Sequence, residues 1–272
     1  MPARIKQIES PKNPAVRETL DLARKGRGID GGAFIIEGPN LLEAALASRE
    51  RFRIIRVFIT MEAAQRHPQI YHPAKERSSE LFDCHGDVIK RLSDTETPQG
   101  MVALVELRRP WKLDDMLSTA SPLIVIADAI QDPGNLGALI RTADAAGASG
   151  MISLEGTCDA LSSGKALRAS AGSALSLPII KADRSRIAGM LADQGLRIAI
   201  ADSHGGASVF DADLTGPLAI AFGNEGAGVC EELKSTADLT IRVPIAGRAE
   251  SLNVAASAAV CLFEAVRQRA RQ

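Results

Sequence analysis

Residues 123–154, LIVIADAIQDPGNLGALIRTADAAGASGMISL, decide the fold class. The opening LIVIAD shows no polar alternation, which marks a strand covered on both faces. A Pro-Gly-Asn turn follows at 133–135, and Leu136, Leu139, Ile140 and Ala143 then recur at helical spacing. The spacing predicts a helix over 136–146, its free N–H groups facing the turn. GMISL at 150–154 reads as a second strand. Strand, turn, helix and strand within roughly thirty residues form a βαβ unit with parallel strands.

The same rhythm continues toward the C-terminus. RIAIA at 197–201, LAIAF at 218–222 and LTIRV at 239–243 are further apolar strands, and 254–269 is a long helix. Toward the N-terminus the elements are shorter. A helix is expected over 14–25, with Val16, Leu20, Leu22 and Ala23 inward and Gly26 as its stop. Strands follow at 33–37, 54–60 and 101–107, and helices at 39–48, 61–66 and 87–92. The stretch 67–79 reads as a polar connection. Arg108-Arg109-Pro110 breaks the alternation. The expected organisation is a small α/β domain over 1–107, a linker over 108–120, and a parallel-sheet α/β domain over 121–272.

Composition narrows the function. The chain has 272 residues, 46% hydrophobic and 24% charged, with net charge −1. That is ordinary globular material, with enough apolar residues for a core. Its apolar stretches fall short of a membrane span. No apolar segment follows the basic N-terminal residues, so no secretory leader is expected. Cys84, Cys158, Cys230 and Cys261 form no C-x-x-C and read as buried free thiols of a reducing cytoplasm. The four histidines make no ligand pattern, and no metal site is expected.

Charge is distributed unevenly. Residues 1–110 carry 18 Lys and Arg against 15 Asp and Glu, whereas the remainder is acidic. Basic residues crowd the first 27 positions, among them Arg4, Lys6, Lys12, Arg24 and Lys25. A second knot lies at Arg49, Arg51, Arg53 and Arg56. Such clusters suit a polyanion, or else a solvated helix face. Nine aromatic residues are too few for a broad base-stacking platform.

Three glycine-bearing loops follow apolar strands, where open α/β sheets bind ligands. They are Asp132–Gly137, leading into a helix that carries Arg141; Phe222–Gly228; and Val243–Gly247, followed by Arg248-Ala249-Glu250-Ser251-Leu252-Asn253-Val254. Ser251 or Asn253 could cap the last helix. The second loop is G-x-x-G-x-G, not the dinucleotide fingerprint, and no P-loop occurs. An NAD-dependent oxidoreductase is thereby disfavoured.

Together these loops resemble the three motifs of the SpoU–TrmH family of RNA ribose 2′-O-methyltransferases, in the SPOUT class. The matching stretches are 128–150, 220–229 and 241–266. Residues 165–172 resemble the family's R-A-S-x-G segment. FIIEGPNLLEAAL at 34–46 and TPQGMVALV at 97–105 are similar to its ribosomal-protein-like accessory domain. The resemblance spans nearly the whole chain. It implies a deep trefoil knot in the C-terminal domain, a homodimer, and a site for S-adenosylmethionine (SAM) at Gly223, Val243, Ile245 and Leu252. It implies a central role for Arg141, with Asn135, Glu225, Ser251 and Asn253 as its partners in catalysis. Arg168 and Ser170 become candidate phosphate contacts or scaffolding, beside the basic N-terminal residues. The implied substrate is structured RNA, ribosomal RNA of the large subunit before transfer RNA, in the cytoplasm. A non-catalytic RNA-binding or ribosome-assembly factor on the same fold is the alternative. It predicts decay of Arg141, Glu225 or Asn253, and all three are present.

Overall fold

Local chemistry sets the N-terminal elements. Strand β1 (Ile5–Ile8) leads to helix α1 (Pro14–Arg24), where the Asn13 side chain accepts the N–H of Ala15 and Pro14 supplies a pre-set first turn. Then come β2 (Gly32–Glu37), α2 (Pro39–Ala47), β3 (Phe52–Ile59), α3 (Met61–Arg66), α4 (Pro68–Arg77), β4 (Glu80–Cys84), α5 (Gly86–Leu92) and β5 (Met101–Leu107). The computed structural model describes residues 5–26, 28–224 and 226–271. The five strands form one mixed sheet in the order β1-β4-β3-β5-β2. β1, β4 and β3 run parallel, and β5 lies antiparallel between β3 and β2. Its core includes Phe58 stacked on Phe82, with ring centroids 4.8 Å apart.

Three readings change here. The stretch 67–79 contains a helix, α4. Its only buried positions are Ile70 and Ala74, and Pro73 lies within it, so the sequence signal is weak. The inward face of α1 holds Val16 and Thr19, while Leu22 is 42% exposed. Leu22 sits six positions from Val16, about 120° around a helix of 3.6 residues per turn and so off the buried face. Strands β1 and β4 were not read from the sequence: edge strand β1 buries only Ile8, and in β4 the apolar pair Leu81-Phe82 is flanked by Glu80 and Asp83.

After a short helix α6 (Leu113–Met116), β6 (Leu123–Ala127) carries five buried side chains. Burial of each large aliphatic side chain there contributes roughly 1.5–3 kcal/mol. Helix α7 (Pro133–Ala145) and β7 (Gly150–Ser153) complete the βαβ unit. Two short helices, α8 (Gly164–Ala169) and α9 (Ser173–Ser176), come before β8 (Ile179–Lys181). The chain continues through α10 (Arg184–Ala192), β9 (Arg197–Ala201), β10 (Ala207–Ser208), β11 (Leu218–Phe222), α11 (Glu231–Lys234), β12 (Leu239–Arg242) and α12 (Val254–Arg269). All seven strands are parallel, in the order β10-β12-β9-β11-β6-β7-β8. Helices α7 and α12 pack together.

The described residues group into two compact units. One comprises those of Met1–Pro110 with Asp159–Ser176, and the other those of Trp111–Cys158 with Leu177–Gln272. The segment carrying the R-A-S-x-G stretch therefore packs with the N-terminal sheet. The contiguous 121–272 expected from sequence did not separate this excursion.

Helix α12 also carries an acid-sensitive pairing. Glu264 is buried and accepts hydrogen bonds from Arg267 Nε and Nη2 at 2.7 and 2.6 Å and from Gln268 Nε2 at 2.9 Å. These donors hold its carboxyl down at about 2. A depressed carboxylate adds stability above its unfolded pKa of ~4.3 and loses it as pH falls toward the folded value. Glu264→Gln is expected to lower the urea midpoint at pH 7. Its difference from wild type should shrink on titration from pH ~4.3 toward 2.

Candidate active site

The strand order reverses around β9, β11 and β12, the arrangement that opens a crevice at carboxyl ends. A cavity of about 490 Å³ lies there. Ala201 and Asp202 reach it from the end of β9, Phe222 and Gly223 from β11, and Arg242 and Val243 from β12. Ile245, Ser251 and Leu252 come from the third loop, and Ser257 and Cys261 from α12. All four cofactor positions expected from sequence, Gly223, Val243, Ile245 and Leu252, line this one cavity. The Cys261 thiol is buried, and desolvation pushes it up to about 12. It is therefore a neutral, apolar part of the wall near pH 7.

The second loop is closed on itself. Asn224 and Gly228 exchange backbone hydrogen bonds of 3.1 and 2.8 Å, and Asn224 Oδ1 accepts the N–H groups of Gly226 and Ala227. A Cβ at Gly223 would overlap the backbone of Gly228 and Val229. Gly228 has φ +70°, which glycine adopts without strain. The loop thus presents bare backbone to the cavity. Glu225, expected to position Arg141, lies outside the described residues.

A buried carboxylate that the sequence reading left without a role fixes this loop. Asp128, at the end of β6, is fully buried. Its Oδ2 accepts the Cys230 N–H at 2.6 Å, just beyond the loop. Its Oδ1 accepts Arg184 Nε and Nη2 at 2.9 and 2.7 Å. The hydrogen bonds to Asp128 also raise the pKa of the Arg184 guanidinium. The next carbonyl, that of Ala129, accepts Asn224 Nδ2 at 3.2 Å, and Ala129 holds a left-handed φ of +55°. Both ends of the loop are therefore tied to β6. The sequence signal was available: an ionisable residue closing an apolar strand is seldom buried without a partner.

The first loop differs from its expected form. Helix α7 begins at Pro133, not after the turn, and Asp132 is its cap. The Asp132 side chain accepts the Asn135 N–H at 2.9 Å, so the helix start is satisfied within the chain. Asn253 caps α12 through Ala255, and its Nδ2 donates to Asn135 Oδ1 at 2.9 Å. The first and third loops are joined by that bond. Ser251 lines the cavity and does not cap the helix. Arg141 lies on the exposed face of α7, outside the cavity lining, and makes no ion pair or hydrogen bond among the described residues.

The expected polyanion contacts divide sharply. Lys12, Arg24 and Lys25 are exposed, and Arg4 lies outside the described residues. Lys6 pairs with Glu80 at 2.7 Å. In the second basic knot Arg56 is mostly buried, donating to Glu80 and Glu18 at 2.8 and 2.9 Å, and Arg53 is 3.9 Å from Glu106. Arg56 alone of that knot is an internal tie; Arg49 and Arg53 remain exposed. Arg168 in α8 faces Glu37 at 3.8 Å. Ser170 is fully buried, donating to the Leu167 carbonyl and accepting the Ala174 N–H. It is scaffolding, with no surface left for a phosphate.

Two substitutions test this construction. Gly223→Ala inserts a methyl where backbone already stands and should cost about 1–3 kcal/mol in urea unfolding. Asp128→Ala strands the Arg184 charge and the Cys230 N–H. It should cost about 3 kcal/mol, the low end for a broken buried pair, because Arg184 keeps a third of its side chain in water.

Comparison with known proteins identifies the family. Residues 122–263 match the SpoU rRNA Methylase family, and residues 13–103 match the MRM3-like substrate binding domain. The 23S rRNA (guanosine(2553)-2'-O)-methyltransferase RlmP of Bacillus subtilis is 34% identical over 259 residues, covering 95% of this chain and 98% of that protein. The AdoMet-bound rRNA methyltransferase from Sinorhizobium meliloti superposes with TM-score 0.80 at 29% identity, covering 97% of this chain and 98% of that one. The SpoU methyltransferase AviRb from Streptomyces viridochromogenes, solved with AdoMet, gives TM-score 0.78 at 28% identity, with 94% and 98% covered. With its family match over the sheet, loops and cavity just described, the chain belongs to the SpoU rRNA Methylase family.

Proposed function

We propose that this protein transfers the methyl group of SAM to a ribose 2′-OH of 23S ribosomal RNA. The observation that carries the proposal is the single cavity formed by Gly223, Val243, Ile245 and Leu252 at the carboxyl ends of β9, β11 and β12. Its size is ordinary for a small-molecule cofactor. Its chemistry suits SAM: bare backbone around Gly223 for hydrogen bonds, and Ile245 and Leu252 left 36% and 37% exposed for an apolar ring to cover. When bound, SAM supplies an electrophilic methyl on a good leaving group.

The chain's own residues deal with the hydroxyl. A ribose 2′-OH is a poor nucleophile near neutral pH and has to lose its proton. A guanidinium, with pKa above ~12, is a poor base. Arg141 therefore holds the target phosphate and polarises the 2′-OH, and the proton leaves through a phosphate oxygen or water. Asn135 and Asn253 orient the nucleotide through their shared bond, with Ser251 and Glu225 beside them. Orientation of this kind supplies much of the barrier reduction.

The same reading assigns the finer organisation. Residues 1–107 dock structured RNA through Lys12, Arg24 and Lys25, residues 108–120 link, and residues 121–272 bind SAM and catalyse. The C-terminal chain threads a trefoil knot, as the family resemblance implies. Two copies pair in the cytoplasm, and a partner completes the surface around Arg141. Phe263, 49% exposed on α12, is an apolar position suited to that pairing.

The test is incorporation of labelled methyl from SAM into RNA lacking native modifications, with the product mapped by resistance to alkaline cleavage. Wild type is expected to protect one position in 23S rRNA, and Arg141→Ala to lose at least a hundredfold in turnover while still binding SAM in calorimetry. Absence of SAM binding by the wild type would overturn the proposal.

A further inference from the structure

The first unit contains its own cavity, of about 560 Å³, bounded by α1, β2, the end of α5 and the segment leading into α8. Leu20, Ala23 and Ile35 form a half-buried apolar wall. Arg24, Lys90 and Arg91 stand exposed at the mouth. Arg24 has only a 4.0 Å approach to Asp21, and Lys90 and Arg91 have no ion pair among the described residues. The mouth thus carries three cations against one exposed carboxylate, Asp94, which makes no ion pair with them among the described residues.

Arg168 lies on the inner wall, and its side chain is one-third exposed. It faces the Glu37 carboxylate, whose side chain is 8% exposed, across 3.8 Å, too far for a hydrogen bond. Glu37 Oε1 is already taken by the hydroxyls of Ser93, at 2.6 Å, and Thr95. Glu37 thus anchors the guanidinium by charge while its N–H donors stay unspent among the described residues. A half-buried guanidinium with free donors, an aliphatic wall and a cationic rim select a ligand with a flat apolar body and anionic groups.

We propose that this cavity receives one unpaired nucleotide of the substrate RNA, its base against Leu20, Ala23 and Ile35 and its phosphate on Arg168, with Arg24, Lys90 and Arg91 on flanking phosphates. This deepens the reading of the chain as an RNA methyltransferase and rests on it for the identity of the RNA. A duplex cannot enter, because its bases are stacked and paired. The excursion Asp159–Ser176 acquires a purpose, since it brings Leu161, Leu167 and Arg168 to the wall.

The test uses the full chain and fluorescence anisotropy with two labelled probes, a mixed-sequence single-stranded RNA of twelve nucleotides and the blunt duplex of the same sequence. The single strand should bind more tightly than the duplex. Ala23→Trp fills the cavity without altering charge. It should weaken single-strand binding about tenfold and leave the salt dependence unchanged. The exposed double variant Lys90→Gln/Arg91→Gln poses no folding problem. It should weaken binding and lower the slope of log affinity against log salt by about two. Equal binding of strand and duplex, or wild-type affinity in Ala23→Trp at unchanged circular dichroism, would overturn the proposal. Failure here with intact methyl incorporation leaves the enzymatic reading standing. Binding as expected, with no incorporation into any RNA, overturns that reading and leaves the nucleotide pocket.

Discussion

The second unit is organised around one desolvated negative charge. A carboxylate at the end of a central parallel strand is expensive to bury, and Asp128 offsets that cost with three hydrogen bonds from two separate segments. Arg184 neutralises it, and the Cys230 N–H ties down the exit of the glycine loop. Because the partners are far apart in the chain, the bonds form only when β6, α10 and the loop are all in place. The cofactor cavity inherits its shape from that closure. Ala129 accepts a left-handed backbone in the same neighbourhood, a strained conformation for a residue with a Cβ, and its carbonyl engages Asn224.

Rigidity and chemistry are separated in the usual α/β manner. Strands β6 and β11 are buried along their full length and make a stiff floor. Above it, backbone stands in for side chains: Gly223 leaves room for one strand of loop to lie against another. The third loop supplies apolar side chains instead, and Asn253 links it to the first by a single side-chain hydrogen bond to Asn135. Three loops from distant parts of the sequence thereby become one site.

In the first unit, positive charge does two different jobs. Arg56, mostly buried, pairs with Glu80 and Glu18 and holds α1 and β3 to β4, whereas Lys6 pairs with Glu80 from the exposed edge strand β1. Lys12, Arg24, Lys25, Lys90 and Arg91 stay in water. Composition counts both groups alike, since partner choice depends on which strands lie side by side. Charge density along the chain therefore counted Arg56 as basic surface although it is mostly buried, and passed over the two cations on α5.

The sequence by itself determined the element types wherever burial is complete. Short apolar runs rich in Ile and Val between turn signals read as covered strands, and Leu136, Leu139, Ile140 and Ala143 as one helix face, so the βαβ unit over 123–154 was legible in the sequence. The glycine loops and their motif order were legible too, because backbone approach to a ligand leaves few alternatives to glycine. Helix α4 was not, since two buried residues and an internal proline carry almost no periodicity. The α7 cap is local, Asp132 to Asn135, and its Asp-Pro signal was there to be read. The return of Asp159–Ser176 to the first unit, the Asp128 clamp and the Arg168–Glu37 pairing were decided only by tertiary structure. These three depend on contact between residues remote in sequence, and a single chain of letters holds periodicity and local propensity but not the distances at which distant charges meet.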